Sequence, residues 1–166
     1  MIESGKHVLV DTNVIIESHR QGCWPALVGK FALDTVQKCV EECATGNQRS
    51  RNPVHVDTEA LRQSLDPKNV TAADIAALIM TCPDAADLDD GEKELLAYAM
   101  TFQEKVYLLC SPDRACVRIA YLLGLIDCYV SLEELCESAG VHPALPAHYG
   151  ASWLSKRKTE FLLDDL

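Results

Sequence analysis

The fold is decided by residues 7–16, which read His7-Val8-Leu9-Val10-Asp11-Thr12-Asn13-Val14-Ile15-Ile16. The apolar run before Asp11 is typical of a short strand that is buried on both faces. Three polar residues, Asp11-Thr12-Asn13, interrupt the apolar pattern before it continues at Val14. This order predicts a strand, a polar turn and a helix. Sites in parallel sheets form at the carboxyl ends of strands, where Asp11 would lie. An Asp at this turn also serves as an ordinary helix cap, so both interpretations are open.

Length and composition are those of one globular domain. The chain has 166 residues, of which 48% are hydrophobic, and this is enough for a real core. Its apolar runs are far shorter than the roughly 20 residues that span a bilayer, and residues 1–6 do not resemble a signal peptide. The eight cysteines show no CxxC spacing and lie mostly in apolar segments. They predict free, buried thiols in a reducing cytoplasm, and favour neither disulfides nor zinc.

The charge distribution favours an acidic site over a general nucleic-acid-binding surface. The formal net charge is −10, and this opposes duplex binding, which needs Lys and Arg to displace counterions. Basic residues gather only between Arg49 and Lys68 and at 156–158. Such groups are more often solvated faces than binding patches. Acidic residues are denser, above all between Asp84 and Glu94.

Strands alternate with helices along the chain, and this pattern predicts an α/β fold with a parallel sheet. The helix after the second strand is expected to begin at Asp34-Thr35 and to end at Gly46-Asn47-Gln48. The predicted strands are 8–10, 31–33, 106–110 and 128–130. The predicted helices are 14–20, 34–45, 57–65, 71–81, 91–103, 113–123, 131–139 and 153–166.

Acidic residues recur near the ends of these elements: Asp11, Glu41 or Glu42, Asp89, Asp90, Glu92 and Asp113. Each has an ordinary explanation, because Asp caps helices, Glu favours a helix N-terminus, and helix acids are commonly solvated. A parallel sheet, however, would bring several of these element ends together. Carboxylate oxygens gathered in a cleft are hard ligands that suit Mg²⁺ or Mn²⁺.

Three segments in order resemble the PIN-domain nucleases, in particular small prokaryotic PIN proteins. They are the strand that ends in Asp11-Thr12-Asn13, the helix Gly91-Glu92-Lys93-Glu94-Leu95-Leu96-Ala97-Tyr98-Ala99, and Leu108-Leu109-Cys110-Ser111-Pro112-Asp113-Arg114. The resemblance covers about residues 6–136. It implies a three-layer α/β/α sandwich with a central, short-stranded parallel sheet. The domain would span 1–140 with a helical insertion at about 53–82. Residues 141–166 would form a loop and a short helix, either in the same domain or as a partner-binding tail.

The resemblance also implies a site, a cofactor and partners. The catalytic acids would be Asp11, Glu41, Glu92 and Asp113. Glu42 is a close rival of Glu41, and Asp90 is a rival of Glu92. The ligands of Mg²⁺ or Mn²⁺ would be Asp11, Glu92 and Asp113, with Asn13, Ser111 and Arg114 as substrate-supporting residues. Many small members are toxins of toxin–antitoxin pairs, so the implied partners are RNA, a second copy in a homodimer, and an antitoxin or other protein.

The leading hypothesis is a metal-dependent endoribonuclease, toxin-like or RNA-processing, that hydrolyses RNA phosphodiester bonds through metal-activated water. Its rival is a catalytically inactive PIN-fold module for protein interaction. A haloacid-dehalogenase-like phosphatase is a weaker third reading, because that family has a second Asp at the position of Asn13. Self-association is expected through apolar residues on the outer helices, at 14–16 and 121–123.

Overall fold

Helices and strands alternate along the computed structural model, which describes residues 1–45, 53–101 and 107–165. Three short 3₁₀ turns, at Pro83–Asp87, Ile126–Cys128 and Ala147–Tyr149, join some of them. In chain order the helices and strands are β1 (His7–Val10), α1 (Thr12–Arg20), α2 (Trp24–Lys30), β2 (Ala32–Val36), α3 (Gln37–Thr45), α4 (Thr58–Ser64), β3 (Asp66–Lys68), α5 (Ala72–Thr81), α6 (Asp90–Met100), β4 (Leu108–Cys110), α7 (Arg114–Leu122), α8 (Leu132–Ser138) and α9 (Ala151–Asp164).

The described strands form one parallel sheet in the order β3-β2-β1-β4. In β1, Leu9 pairs with Asp34 of β2 on one side and with Leu109 of β4 on the other. The backbone N–H of Asp11 donates to the carbonyl of Cys110 at 3.3 Å. The ends of β1 and β4 therefore lie side by side, and the predicted α/β fold with a central parallel sheet is confirmed.

Two hydrophobic cores lie on opposite faces of this sheet. Val8 and Val10 belong to the first core and Leu9 belongs to the second, as the alternation of side chains along a strand requires. Helices α1, α2, α4 and α8 contribute to the first core, and α5, α6, α7 and α9 contribute to the second. Helix α3 supplies residues to both. The architecture is a three-layer α/β/α sandwich.

The helix start predicted at Asp34-Thr35 is wrong, because both residues belong to β2. Asp34 pairs with residues of both neighbouring strands, and the Thr35 hydroxyl donates to the carbonyl of Val10 at 2.7 Å. These polar side chains are typical of helix caps, but here the sheet satisfies them. The helix begins at Gln37, two residues after Thr35.

Two elements were not predicted, and each contains a proline that obscured it. Pro25 lies in the first turn of α2, where its missing N–H costs no helical hydrogen bond. Pro67 lies in β3, an edge strand, where proline is tolerated. Because β3 falls within 53–82, that segment is not purely helical.

The strand predicted at 128–130 is also wrong. Tyr129 forms an isolated parallel bridge with Leu109, and the N–H of Val130 donates to the Leu109 carbonyl at 2.9 Å. Cys128 ends a 3₁₀ turn, so too few residues are extended to form a strand. The predicted ends at Gly46-Asn47-Gln48, Gln103 and Val106 lie outside the described residues.

The helix starts predicted near residues 57, 71, 113 and 131 are confirmed, and a side chain caps each of them. Asp11, Asp57 and Asp113 cap α1, α4 and α7 through their side chains. Thr71 and Ser131 form capping boxes at α5 and α8. These local signals were readable because a cap needs only neighbouring residues.

The C-terminal segment contributes to both cores. Tyr149 belongs to the first core, and Leu154 and Phe161 belong to the second. None of the helices in the described part of the chain combines the length and the apolar character needed to cross a bilayer. All eight cysteines lie in the described ranges as free thiols, and Cys128 alone is not buried. The prediction of free, buried thiols is confirmed.

The surface expected to drive self-association is partly absent. Residues 14–16 are buried in the first core, so they offer no outer face. Leu122 is 45% exposed on α7, and Leu162 and Leu163 are exposed on α9. The homodimer stays a prediction, and residues 14–16 no longer support it.

Candidate functional site

The site is centred on Asp11, which is only 2% exposed at the end of β1. Its Oδ1 accepts a hydrogen bond from the N–H of Val14 at 2.8 Å and so caps α1. Its Oδ2 is buried and has no hydrogen-bond partner among the described residues. One half of the carboxylate is therefore structural, and the other half is an unsatisfied acceptor. Such an atom is costly and requires an explanation.

Burial raises the pKa of Asp11 from 3.8 to about 7. The neighbouring hydroxyl of Ser111 and the N–H of Val14 lower it, and the carboxylates of Asp113 and Glu42 raise it. The Ser111 hydroxyl is close enough to act on the pKa but makes no hydrogen bond to Oδ2. Near neutral pH, Asp11 is therefore poised between its two protonation states.

Glu92 is the second buried acid and lies in the first turn of α6. It is 8% exposed, and burial raises its pKa from 4.5 to about 9. The carboxylates of Asp113, Asp11, Asp89 and Glu42 raise it further, in that order. The acids that follow β1 and β4 and those on α3 and α6 are therefore near enough to act on the pKa of Glu92, and Glu42 links α3 to Thr12 and to the start of α6 through hydrogen bonds.

The structure places Glu42 beside these acids, and the placement of Glu41 there is wrong. Glu41 is 53% exposed and lies 3.8 Å from Lys38 on the outer face of α3. Glu42 accepts hydrogen bonds from the Thr12 hydroxyl at 2.6 Å and from the N–H of Gly91 at 3.1 Å. Consecutive helical residues point about 100° apart, so the first core and the sheet decide which one faces inward.

Asp113 lies three residues after the end of β4 and is half-buried. Its Oδ1 accepts from the N–H groups of Ala115 at 2.7 Å and Cys116 at 3.1 Å. Its own N–H donates to the buried Ser111 hydroxyl at 3.3 Å. Asp113 is thus a helix cap and also one of the charges that act on Asp11 and Glu92.

Three other predicted or rival residues stay outside the buried cluster. Asp90 has a side chain that is 71% exposed and lies 3.9 Å from Lys93, so Glu92 is the acid that faces the site. Asn13 is exposed on α1. Arg114 is 3.8 Å from Glu160 and stacks on the ring of Phe161 on α9, which directs it toward that helix.

Sequence reasoning missed two positioning residues and one buried hydroxyl. Thr12 and Gly91 hold the Glu42 carboxylate, and a Cβ on Gly91 would lie 2.5 Å from Glu42 Oε2. The hydroxyl of Tyr129 is buried without a hydrogen-bond partner in the described structure. The signal for Gly91 was a glycine inside a helix, which usually has a packing reason. No local pattern marks Tyr129.

The oxygen ligands of this cluster suit Mg²⁺ or Mn²⁺ in chemical type. The unpartnered Oδ2 of Asp11 is an acceptor that a cation would satisfy. Among the described residues, however, no three His, Cys, Asp or Glu side chains approach closely enough to hold an ion together. Mg²⁺ commonly takes one or two carboxylates and keeps several waters, so the cluster fits a water-rich site and not an all-protein cage.

The sequence matches no protein-family model, and it has no significant match among curated proteins. The PIN-family assignment therefore stays a prediction that rests on three sequence segments.

Proposed function

We propose that the acidic edge of the sheet is the active site of a Mg²⁺- or Mn²⁺-dependent endoribonuclease. The observation that carries the proposal is the buried, unpartnered Oδ2 of Asp11, surrounded by the carboxylates of Glu42, Glu92 and Asp113. A protein that needed only a helix cap at this position would not retain a half-satisfied, buried carboxylate.

Burial makes this cluster costly without a cation. The raised pKa values mean that protons neutralise Glu92, and Asp11 in part, near neutral pH. A divalent ion competes with those protons and replaces repulsion between carboxylates with attraction. Asp11 and one of Glu92 and Asp113 would bind the ion directly, and the third acid would act on it through a coordinated water. Glu42, which Thr12 and Gly91 fix in place, would add a further carboxylate beside these acids.

A bound Mg²⁺ or Mn²⁺ supplies Lewis acidity, which activates water and stabilises the charge that develops in phosphoryl transfer. The residues of the chain would bind the ion and orient the carboxylates that hold it. The Val14 N–H fixes Asp11 Oδ1 and leaves Oδ2 directed elsewhere, and the Ala115 and Cys116 N–H groups do the same for Asp113 Oδ1. RNA is the proposed substrate because of the resemblance to PIN nucleases.

A second candidate is a catalytically inactive interaction module of the same fold. The spacing of the acids favours it, because no three of them in the described residues are close enough to hold an ion together. The net charge of −10 favours it as well, since it repels a polyanion. The two candidates differ in whether the acids bind a divalent ion at all.

The test is cleavage of a labelled single-stranded RNA with Mg²⁺ or Mn²⁺, with the DNA of the same sequence as a second substrate. Asp11→Asn is expected to lower the rate by about 100-fold or more, since it removes a charge that holds the ion. Asp57→Asn is the matched control, because Asp57 makes only cap hydrogen bonds at an exposed helix start. EDTA should stop the reaction.

The adjacent glutamates sharpen this test. Glu42→Gln should lower the rate, and Glu41→Gln should leave it within twofold of the wild type, because Glu41 points outward. Equal cleavage by the wild type and Asp11→Asn would refute the assignment. Calorimetry then separates the candidates: saturable Mn²⁺ binding without cleavage supports an inactive site, and no binding at millimolar Mn²⁺ supports the interaction module.

A further inference from the structure

Two buried thiols that are distant in sequence touch in the first core. The Sγ of Cys136 donates to the Sγ of Cys23 at 3.7 Å across a separation of 113 residues. Cys23 is the residue before α2, and Cys136 lies on α8. Both are nearly inaccessible, at 4% and 1% exposure. The contact joins two helices on the same side of the sheet.

We propose that Cys23 and Cys136 form a redox-active dithiol that hydrogen peroxide oxidises to an intramolecular disulfide. A disulfide holds its sulfurs about 2.0 Å apart. The present separation is 3.7 Å, so the two sulfurs must approach by less than 2 Å to form the bond. The free thiols of Cys23 and Cys136 are the reduced state of this pair, and the disulfide is its oxidised state.

The surroundings make Cys23 the attacking thiol. The hydrogen bond from Cys136 lowers the pKa of Cys23, an effect that burial opposes. The same contact and burial raise the pKa of Cys136. A thiolate is the reactive form of cysteine, so the pair consists of one activated sulfur and one sulfur that retains its proton.

The reaction balances in two steps. The Cys23 thiol loses its proton, and the thiolate attacks one peroxide oxygen. The O–O bond breaks, the leaving hydroxide takes up that proton as water, and Cys23 becomes a sulfenic acid. The sulfur of Cys136 then attacks the sulfur of Cys23, and the S–O bond breaks. The thiol proton of Cys136 leaves with the hydroxyl as water. In total the two thiols lose two electrons, and the peroxide is reduced to two molecules of water.

The experiment exposes the reduced, native 166-residue chain to millimolar hydrogen peroxide, quenches the reaction, and alkylates the protein under denaturing conditions. We expect wild type to lose two maleimide labels relative to its eight thiols. Peptide mapping should show a cross-link between the peptides that contain Cys23 and Cys136, and dithiothreitol should reverse it. Mapping in the wild type needs no variant, so it does not depend on how a substitution folds.

The matched variants separate proximity from exposure. Cys128→Ser removes the one cysteine that is not buried, and the cross-link should still form. Cys136→Ser and Cys23→Ser should each abolish it. If exposure governed the chemistry, peroxide would modify Cys128 first and leave Cys23 and Cys136 reduced, and that result would overturn the proposal.

Stability supplies a second readout. A cross-link between distant residues restricts the unfolded chain, so the oxidised wild type should melt about 5–15 °C above the reduced protein. Cys136→Ser treated in the same way should show no rise. A mapped cross-link at any other pair of cysteines, or unchanged label counts, would also refute the dithiol.

Discussion

Asp11 and Asp57 are both helix caps with an extended backbone conformation, but their environments differ. Asp57 is exposed, and its Oδ1 accepts from the N–H groups of Glu59 and Ala60. Asp11 caps α1 with Oδ1 and keeps a buried, unpartnered Oδ2. The same sequence signal thus produces an ordinary cap in one region and a costly carboxylate in the other. What separates them is burial at the end of a central strand.

The same contrast appears between neighbours on α3. Glu41 is solvated beside Lys38, whereas Glu42 reaches Thr12 and Gly91 across the site. Whether an acid belongs to the site depends on the side of the helix on which it lies, and not only on the residue type.

The largest effect is expected in the pH dependence of stability without divalent ions. The folded pKa values of Asp11 and Glu92 are about 7 and about 9, above 3.8 and 4.5. Between the unfolded and the folded pKa of each group, the folded state binds more protons than the unfolded state. The free energy of unfolding therefore falls as pH rises. Glu92→Gln cannot ionise, and it should raise the free energy of unfolding at pH 8 by about 2–4 kcal/mol.

Urea unfolding in EDTA between pH 6 and pH 9 measures this change. The control is Glu41→Gln, which should stay within about 0.5 kcal/mol of the wild type and keep its pH profile. Above pH 7 the wild-type loss should come mainly from Glu92. Equal losses in wild type and Glu92→Gln between pH 7 and pH 9 would contradict the burial of this acid.

Sequence reasoning reached the parallel sheet and most helix caps, because apolar runs and caps are local signals. It failed where tertiary structure decides. The choice between Glu41 and Glu42 depends on which face of α3 meets the sheet. Asp34 was expected to begin a helix, but it is held in the sheet by both neighbouring strands. The buried hydroxyl of Tyr129 comes from a segment whose position depends on one bridge to β4.

A smaller effect is expected for Asp113→Asn in the response to Mn²⁺. Asn caps helices about as well as Asp, so the metal-free variant should be as stable as the wild type or more stable, because it removes one like charge. At a tenfold excess over its dissociation constant, an ion stabilises the folded state by about 1.4 kcal/mol. The wild type should therefore gain about 3–6 °C, and the variant less than half of that.

Thermal melts at matched ionic strength, with Ca²⁺ as a second ion, test this difference. Asp57→Asn is again the control, because Asp57 is an exposed residue that makes only helix-cap hydrogen bonds. It should respond to Mn²⁺ as the wild type does. Identical shifts in all three proteins would remove Asp113 from the metal site.

The smallest change in stability is expected for Gly91→Ala. The new Cβ would meet Glu42 Oε2 at 2.5 Å, but that oxygen ends a flexible side chain that can swing away. The hydrogen bond from the Gly91 N–H is then lost, at a cost of about 1 kcal/mol. Alanine recovers about 0.5–1 kcal/mol through its helix propensity. The free energy of unfolding should therefore stay within about 1 kcal/mol.

Gly29→Ala is the matched control, because it lies in α2 and its Cβ would meet nothing within 4 Å. It should gain about 0.5–1 kcal/mol and keep both the Mn²⁺ response and RNA cleavage. Gly91→Ala should instead lose cleavage several-fold while remaining folded, since only the Glu42 carboxylate is displaced. A large loss of stability would show that Glu42 acts chiefly as the missing cap of α6, whose Asp89 makes no side-chain cap. Unchanged cleavage would mean that the acid facing the site on α3 has no part in the chemistry.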